Sequence, residues 1–162
     1  MIYSVRTMTE TDIPQLVEIE REAFPNDWPP ISFQRELNTQ VSHFIVAVNT
    51  QGGSPAQPSE SSTPEHILGY AGLWIFLDES HLISIAVRQT YRGQGIGELL
   101  LRSALELSVR RGAQMMALEV RESNHPAQSL YTKYGFIKKG IRRGYYPDNN
   151  EDAFIMVAES IH

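Results

Sequence analysis

The feature that most constrains this chain is a junction. The apolar run Ile83-Ser84-Ile85-Ala86-Val87 passes directly into Arg88-Gln89-Thr90-Tyr91-Arg92-Gly93-Gln94-Gly95-Ile96-Gly97, and a stretch with helical apolar spacing follows. A short apolar run, alternating glycines and a helical period, in that order, predict a strand, a glycine turn and a helix. The helix is expected over 95–111, with Leu99, Leu100, Ala104, Leu105 and Leu107 inside, Arg110 and Arg111 in its last turn and Gly112 as its stop. Glycines let backbone approach a ligand closely, and the N–H groups of a helix start point at whatever negative group sits there, most naturally a phosphate. A glycine-rich turn with no ligand would read similarly, but it would not require Arg92 beside the glycines.

Two phosphate readings fail on sequence. A Walker loop needs Gly-Lys-Ser/Thr, whereas Gly97 is followed by Glu98 and Leu99. A dinucleotide fingerprint would place its third glycine at Glu98. The net charge of −5 disfavours binding to phosphate backbones and mildly favours cationic partners. With no cysteine in the chain, disulfides, thiolate metal sites and an acyl-cysteine intermediate are excluded. The histidines at 43, 66, 81, 125 and 162 show no i, i+4 pairing, so no metal is expected. Asp148-Asn149-Asn150-Glu151-Asp152 imitates a calcium loop, but Ala153 stands where that loop needs glycine, and Phe154-Ile155-Met156-Val157 reads as strand.

With 162 residues, 41% of them hydrophobic, one domain spanning 1–162 is expected. The longest apolar stretch, Ile67 to Leu77, is too short for a membrane helix and contains Gly69 and Gly72. The first thirty residues are acidic and lack an apolar signal core, so the reading is cytoplasmic, without a membrane partner. Strands are expected at 3–6, 43–48, 67–76, 81–87, 115–121, 136–145 and 153–158, and further helices at 11–22, from about Ser32, and at 126–134. Segment 49–66, rich in Ser, Pro and Gly, reads as a long mobile hairpin loop. Phe24-Pro25-Asn26-Asp27-Trp28-Pro29-Pro30 reads as a packed loop in preference to a substrate-side wall. Together these elements predict an α+β fold with helices on the faces of a sheet.

Arg92-Gly93-Gln94-Gly95-Ile96-Gly97 resembles the R/Q-x-x-G-x-G/A motif with which the GNAT acetyltransferases hold the pyrophosphate of acetyl-CoA. Leu118-Glu119-Val120-Arg121-Glu122-Ser123-Asn124, Leu130-Tyr131 and Gly135-Phe136 resemble the branch that acetylates protein N-termini. Arg142-Arg143-Gly144-Tyr145-Tyr146-Pro147 and Glu151-Asp152-Ala153 are similar to its ribosomal-protein alanine acetyltransferases, the RimI type. The likeness runs from the first strand to the last. Two departures are the insertion at 49–66 and the side-chain-free Gly93 at a site often held by a bulky or basic residue.

The resemblance implies a mixed, mostly antiparallel GNAT sheet, acetyl-CoA as acetyl donor, and the N-terminal amine of a small-subunit ribosomal protein as acceptor. It implies cofactor contacts from residues 92–97 and Asn124, and from the backbone of Ile85, Ala86 and Val87, which can pair with the amide-bearing pantetheine arm. It makes Glu119 the general base and Tyr131 the proton donor to the leaving thiolate. Chemistry agrees: an α-amino group is neutral near pH 7.5 about a hundredfold more often than a lysine, so a modest base suffices. Strand alternation puts Glu119 on the face opposite Met116, Leu118 and Val120, where burial is expected to raise its pKa. The competing reading for Glu119 is a salt bridge to Arg121; for Tyr131, a core tyrosine in the helical row Ala127, Leu130, Tyr131, Tyr134; for Asn124, a plain helix cap. Tyr145 and Tyr146 are expected to wall the peptide cleft; with Arg142 and Arg143 beside them they could suggest nucleic acid, which the negative net charge opposes. Rival functions are a GNAT enzyme with a broader N-terminal or small-amine acceptor and a non-catalytic acyl-CoA sensor.

Overall fold

The computed structural model describes residues 2–26, 30–50 and 65–162. In chain order the elements are β1 (Tyr3–Thr7), a 3-10 turn (Glu10–Asp12), α1 (Ile13–Ala23), α2 (Phe33–Leu37), β2 (Ser42–Asn49), β3 (Ile67–Phe76), β4 (Glu79–Val87), a second 3-10 turn (Gln89–Tyr91), α3 (Ile96–Arg110), β5 (Met115–Arg121), α4 (His125–Lys133), β6 (Ile137–Tyr146) and β7 (Glu151–Ala158). The expected elements are all present, with ends displaced by a few residues. At the start of α1, Pro14 stands in the first turn, and the residues before it form the 3-10 turn. The expected loop at 49–66 falls, for 51–64, outside the described residues, as do Asp27, Trp28 and Pro29.

All seven strands join one sheet in the order β1-β2-β3-β4-β5-β7-β6. Every neighbouring pair is antiparallel except β4 and β5, which are parallel because the chain between them crosses over through α3. The two faces bury separate apolar clusters. On one, Leu100, Leu101 and Ala104 of α3 pack with Leu73, Leu82, Met116 and Leu118. On the other, Leu16 and Ile19 of α1 and Phe33 of α2 pack with Phe44, Val46, Val48 and Tyr70. Helices therefore cover both faces, as strand alternation requires.

Two local features shape the site. Gly72 lies beneath Phe44, whose ring carbon Cζ would stand 2.3 Å from an added Cβ. That close approach seats Phe44 edge-on to Phe33, 5.6 Å between centroids, and anchors α2 to the sheet. One residue further, the β3–β4 register shifts: Gly72 faces Ser84 and Leu73 faces Leu82, leaving Ile83 as a bulge. From that point β4 and β5 part. Their ladder runs only from Glu79–Leu82 against Met115–Leu118, while β4 continues beside β3 to Val87 and β5 beside β7 to Arg121.

Candidate active site

The opening between the parted strands is a cleft of about 370 Å³. Leu82 to Ile85 form one side and Leu118 to Arg121 the other. Asn124, Tyr131, Phe24, Ile31, Tyr145 and Tyr146 also line it.

The glycine motif lies where β4 leads into α3. Gly93 and Gly95 take left-handed conformations at φ 79° and 84°, which glycine adopts without penalty. Gly95 is the N-cap of α3 and provides no capping side chain, so the first-turn N–H groups stay uncapped by it. Neighbouring polar groups turn aside: Glu98 accepts from Lys133 and from Tyr134, the latter at 2.9 Å, and Tyr3 donates to Gln94 Oε1. Arg92 Nε donates to the Val87 carbonyl at 3.1 Å, clasping the motif to the end of β4. Gly97 comes close to the same strand, its added Cβ meeting Val87 at 3.8 Å. The Ile96 side chain is buried in the core. Ile85, Ala86 and Val87 lie beyond the last β4–β5 rung, so their β5-facing edge carries no ladder, while Ile85 and Val87 pack on one apolar cluster and Ala86 on the other.

Glu119 stands on the opposite strand, its side chain 12% exposed. His81 Nε2 lies 2.6 Å from its Oε2, and Arg142 Nε 3.7 Å from its Oε1. Burial pushes the carboxyl pKa up, but the His81 hydrogen bond and the charges of His81 and Arg142 outweigh it and hold the group below the ordinary carboxylate value. The expected rise is thus reversed, because the His81 hydrogen bond and the Arg142 charge outweigh the desolvation on which that expectation rested. The competing Arg121 salt bridge is absent too. Arg121 instead reaches Asp148 at 3.2 Å and Glu151 at 3.1 Å, and its guanidinium carbon lies 3.9 Å over the Tyr146 ring. His81 received no role from sequence. The available signal was alternation: His81 pairs with Ala117, two residues before Glu119 and on the same face, but only the strand register reveals it.

Tyr131 is 6% exposed and packs with Phe136 in the α3-side core, so its place in the apolar row of α4 is real. It also lines the cleft, and its hydroxyl makes no hydrogen bond among the described residues. Burial pushes its pKa up to about 12. Asn124 caps α4, its Oδ1 accepting from the Ala127 N–H at 3.2 Å, and still lines the cleft. The Tyr145 and Tyr146 rings meet edge to face at 5.0 Å. Glu151 accepts from the Ser123 N–H at 2.7 Å, and that contact with Arg121 brings its pKa to about 2. Phe24 packs against the α1-side core, as the packed-loop reading expected, and with Pro30 also lines the cleft, as the alternative reading had it; Ile31, just beyond that segment, does both.

Among the described residues no group of three or more His, Asp or Glu side chains is placed to hold a metal ion. In the acidic turn the strand begins at Glu151, and Asp148, Glu151 and Asp152 are committed to Arg121, Ser123 and Gly144. No helix among the described residues is long and apolar enough to cross a membrane.

The sheet is thus parted between two parallel strands, with a glycine-rich helix start following one of them and a half-buried carboxylate on the other. Residues 13–136 match the Acetyltransferase (GNAT) family. The chain belongs to the GNAT acetyltransferase family. It is 42% identical over 154 residues to a Bacillus subtilis protein provisionally named a ribosomal protein bS18-alanine N-acetyltransferase, covering 94% of this chain and 93% of that one. It is 34% identical over 155 residues to the Escherichia coli K12 ribosomal protein bS18-alanine N-acetyltransferase, covering 94% and 95%. The crystal structure of the ribosomal-protein-S18-alanine N-acetyltransferase from Escherichia coli matches with TM-score 0.78 and 28% identity, over 99% of this chain and 96% of that one.

Proposed function

We propose that the chain is one acetyltransferase domain that moves the acetyl group of acetyl-CoA to a protein N-terminal α-amine, that of the N-terminal alanine of a small-subunit ribosomal protein, in the cytoplasm. The observation that carries this reading is Glu119, an ionised carboxylate in the gap between β4 and β5, in a cleft that Tyr131, Tyr145 and Tyr146 also line, with the glycine-rich start of α3 following directly on β4. The names of the relatives give the acceptor its chemistry. A basic ribosomal protein also suits a chain of net charge −5.

The residues fit acetyl-CoA. Residues 92–97, with left-handed Gly93 and Gly95 and the uncapped α3 start, would hold its pyrophosphate; the edge of Ile85–Val87 that carries no β5 ladder, and Asn124, would hold its pantetheine arm. Acetyl-CoA supplies the acetyl group as an activated thioester. Glu119 accepts the proton that the acceptor ammonium must lose before it can attack. Tyr131, with a pKa near 12, keeps its proton at neutral pH and has an unengaged hydroxyl to donate toward the departing sulfur. Tyr145, Tyr146, Phe24 and Ile31 wall the peptide entry. No cysteine is available to carry the acetyl group, so the amine attacks directly.

The test is mass spectrometry of a peptide with a free N-terminal alanine and an internal lysine after incubation with acetyl-CoA. A single acetyl group on the α-amine is expected. Acetylation of the lysine instead would overturn the acceptor assignment, and acetyl-CoA binding without transfer to this or any other amine would favour a sensor.

A further inference from the structure

We propose that His81 is a positioning residue for Glu119: its imidazole orients the carboxylate and, by gaining or losing its own proton, sets how strong a base Glu119 is. This rests on the reading of Glu119 as the base and adds to it a residue and a pH response. The geometry carries it. His81 lies one rung before the β4–β5 ladder ends, on the same sheet face as Glu119, and its Nε2 is 2.6 Å from Glu119 Oε2. Between an ionised carboxylate and a ring nitrogen, that distance requires a proton on Nε2, so His81 donates. The donation holds Oε2, so the oxygen that would accept from the substrate is Oε1, which Arg142 Nε faces at 3.7 Å, beyond hydrogen-bond distance.

The imidazole is itself held. Trp74 of β3 meets its ring nearly perpendicular, at 6.3 Å and 81°. Trp74 Nε1 in turn donates to Glu36 Oε2 at 2.9 Å, which also accepts from Ser42 at 2.6 Å. The second ring nitrogen, Nδ1, makes no hydrogen bond among the described residues, and the side chain is 36% exposed, so that nitrogen is open to exchange protons with water. The charged groups around the pair are Arg142, reaching Glu119 Oε1 from β6, and Glu36 of α2 on the far side of Trp74.

The two protonation states of His81 have opposite effects. With both nitrogens protonated, the imidazolium forms an ion pair with Glu119 and weakens it as a base. When Nδ1 releases its proton to water, the Nε2–H donor remains, the positive charge disappears and Glu119 becomes more basic. An imidazole is the side chain that makes this change between about pH 5 and 8.

The experiment compares the full chain with His81→Gln and His81→Ala, reading kcat against pH with saturating acetyl-CoA and alanine peptide, and follows the His81 ring by NMR titration in the unaltered chain and in Glu119→Gln. His81→Ala is expected to lower kcat about tenfold or more, through loss of orientation. His81→Gln, whose amide can still donate, should recover most of that loss but lack the ionisation assigned to His81. In Glu119→Gln the His81 titration should move to lower pH, because the anion that favours the imidazolium is gone. An unchanged pH profile in His81→Gln, or a His81 titration indifferent to Glu119→Gln, would overturn the proposal. If the unaltered chain acetylates no amine, the acceptor reading has failed, and the NMR comparison alone decides whether His81 controls the ionisation of Glu119.

Discussion

At the α3 end of the cleft the structure offers backbone: Gly93 and Gly95 hold the chain at φ 79° and 84°, and the first helical N–H groups follow. At the β5 end it offers side chains, with Glu119 fixed by His81 from β4 and Arg142 from β6. The first region is built within six consecutive residues, and its form depends on which of them lack a Cβ. The second is built from three strands, and its form depends on register. Substitutions should therefore act on binding in one region and on turnover in the other.

Tyr131→Phe should separate turnover from binding by a wide margin. The lost hydroxyl has no hydrogen bond among the described residues, so thermal stability should hardly change. If it is the proton donor, kcat should fall about a hundredfold while acetyl-CoA affinity holds. Stopped-flow turnover beside a melting curve checks both. Gly95→Ala should do the opposite. Its Cβ would touch nothing within 4 Å, but a left-handed residue with a Cβ costs about 1–2 kcal/mol, so the cradle should relax and acetyl-CoA bind about tenfold more weakly. The rate at saturation should stay near that of the unaltered chain.

Glu151→Gln acts on the support of the tyrosine wall and should have the smallest effect. The native carboxyl has a pKa near 2, below its unfolded value of about 4.3, so it contributes stability in full above the latter. That contribution is lost as pH falls through about 2. The variant should therefore melt a few degrees lower at pH 7, and the gap should close as the pH approaches 2. A gap that widened in acid would contradict the Ser123–Glu151–Arg121 arrangement.

The contrast also explains what could be read before folding. The cradle was legible because strand, glycines and helix follow one another: the helix expected at 95–111 occupies 96–110, and Gly112 ends it in a left-handed conformation. The side of β5 that bears Glu119 was legible from alternation, and the burial of Met116, Leu118 and Val120 agrees. Its partners were not. His81 lies 38 residues away and Arg142 on a strand two positions across the sheet, and neither distance is written in local pattern. Arg121 was paired with Glu119 by proximity in sequence, yet as the last residue of β5 it reaches over to Asp148 in the β6–β7 turn and to Glu151 at the start of β7. The gap itself depends on the bulge at Ile83, which an unbroken apolar run does not announce.

The most direct test of this division is Glu119→Gln, with acetyl-CoA affinity measured by calorimetry and kcat measured on the alanine peptide in the same preparation. The account predicts a dissociation constant within about twofold of the unaltered chain and a kcat lower by roughly a hundredfold or more. A kcat that stayed within about threefold would contradict Glu119 as the base, and with it the claim that chemistry resides on the β5 side of the cleft.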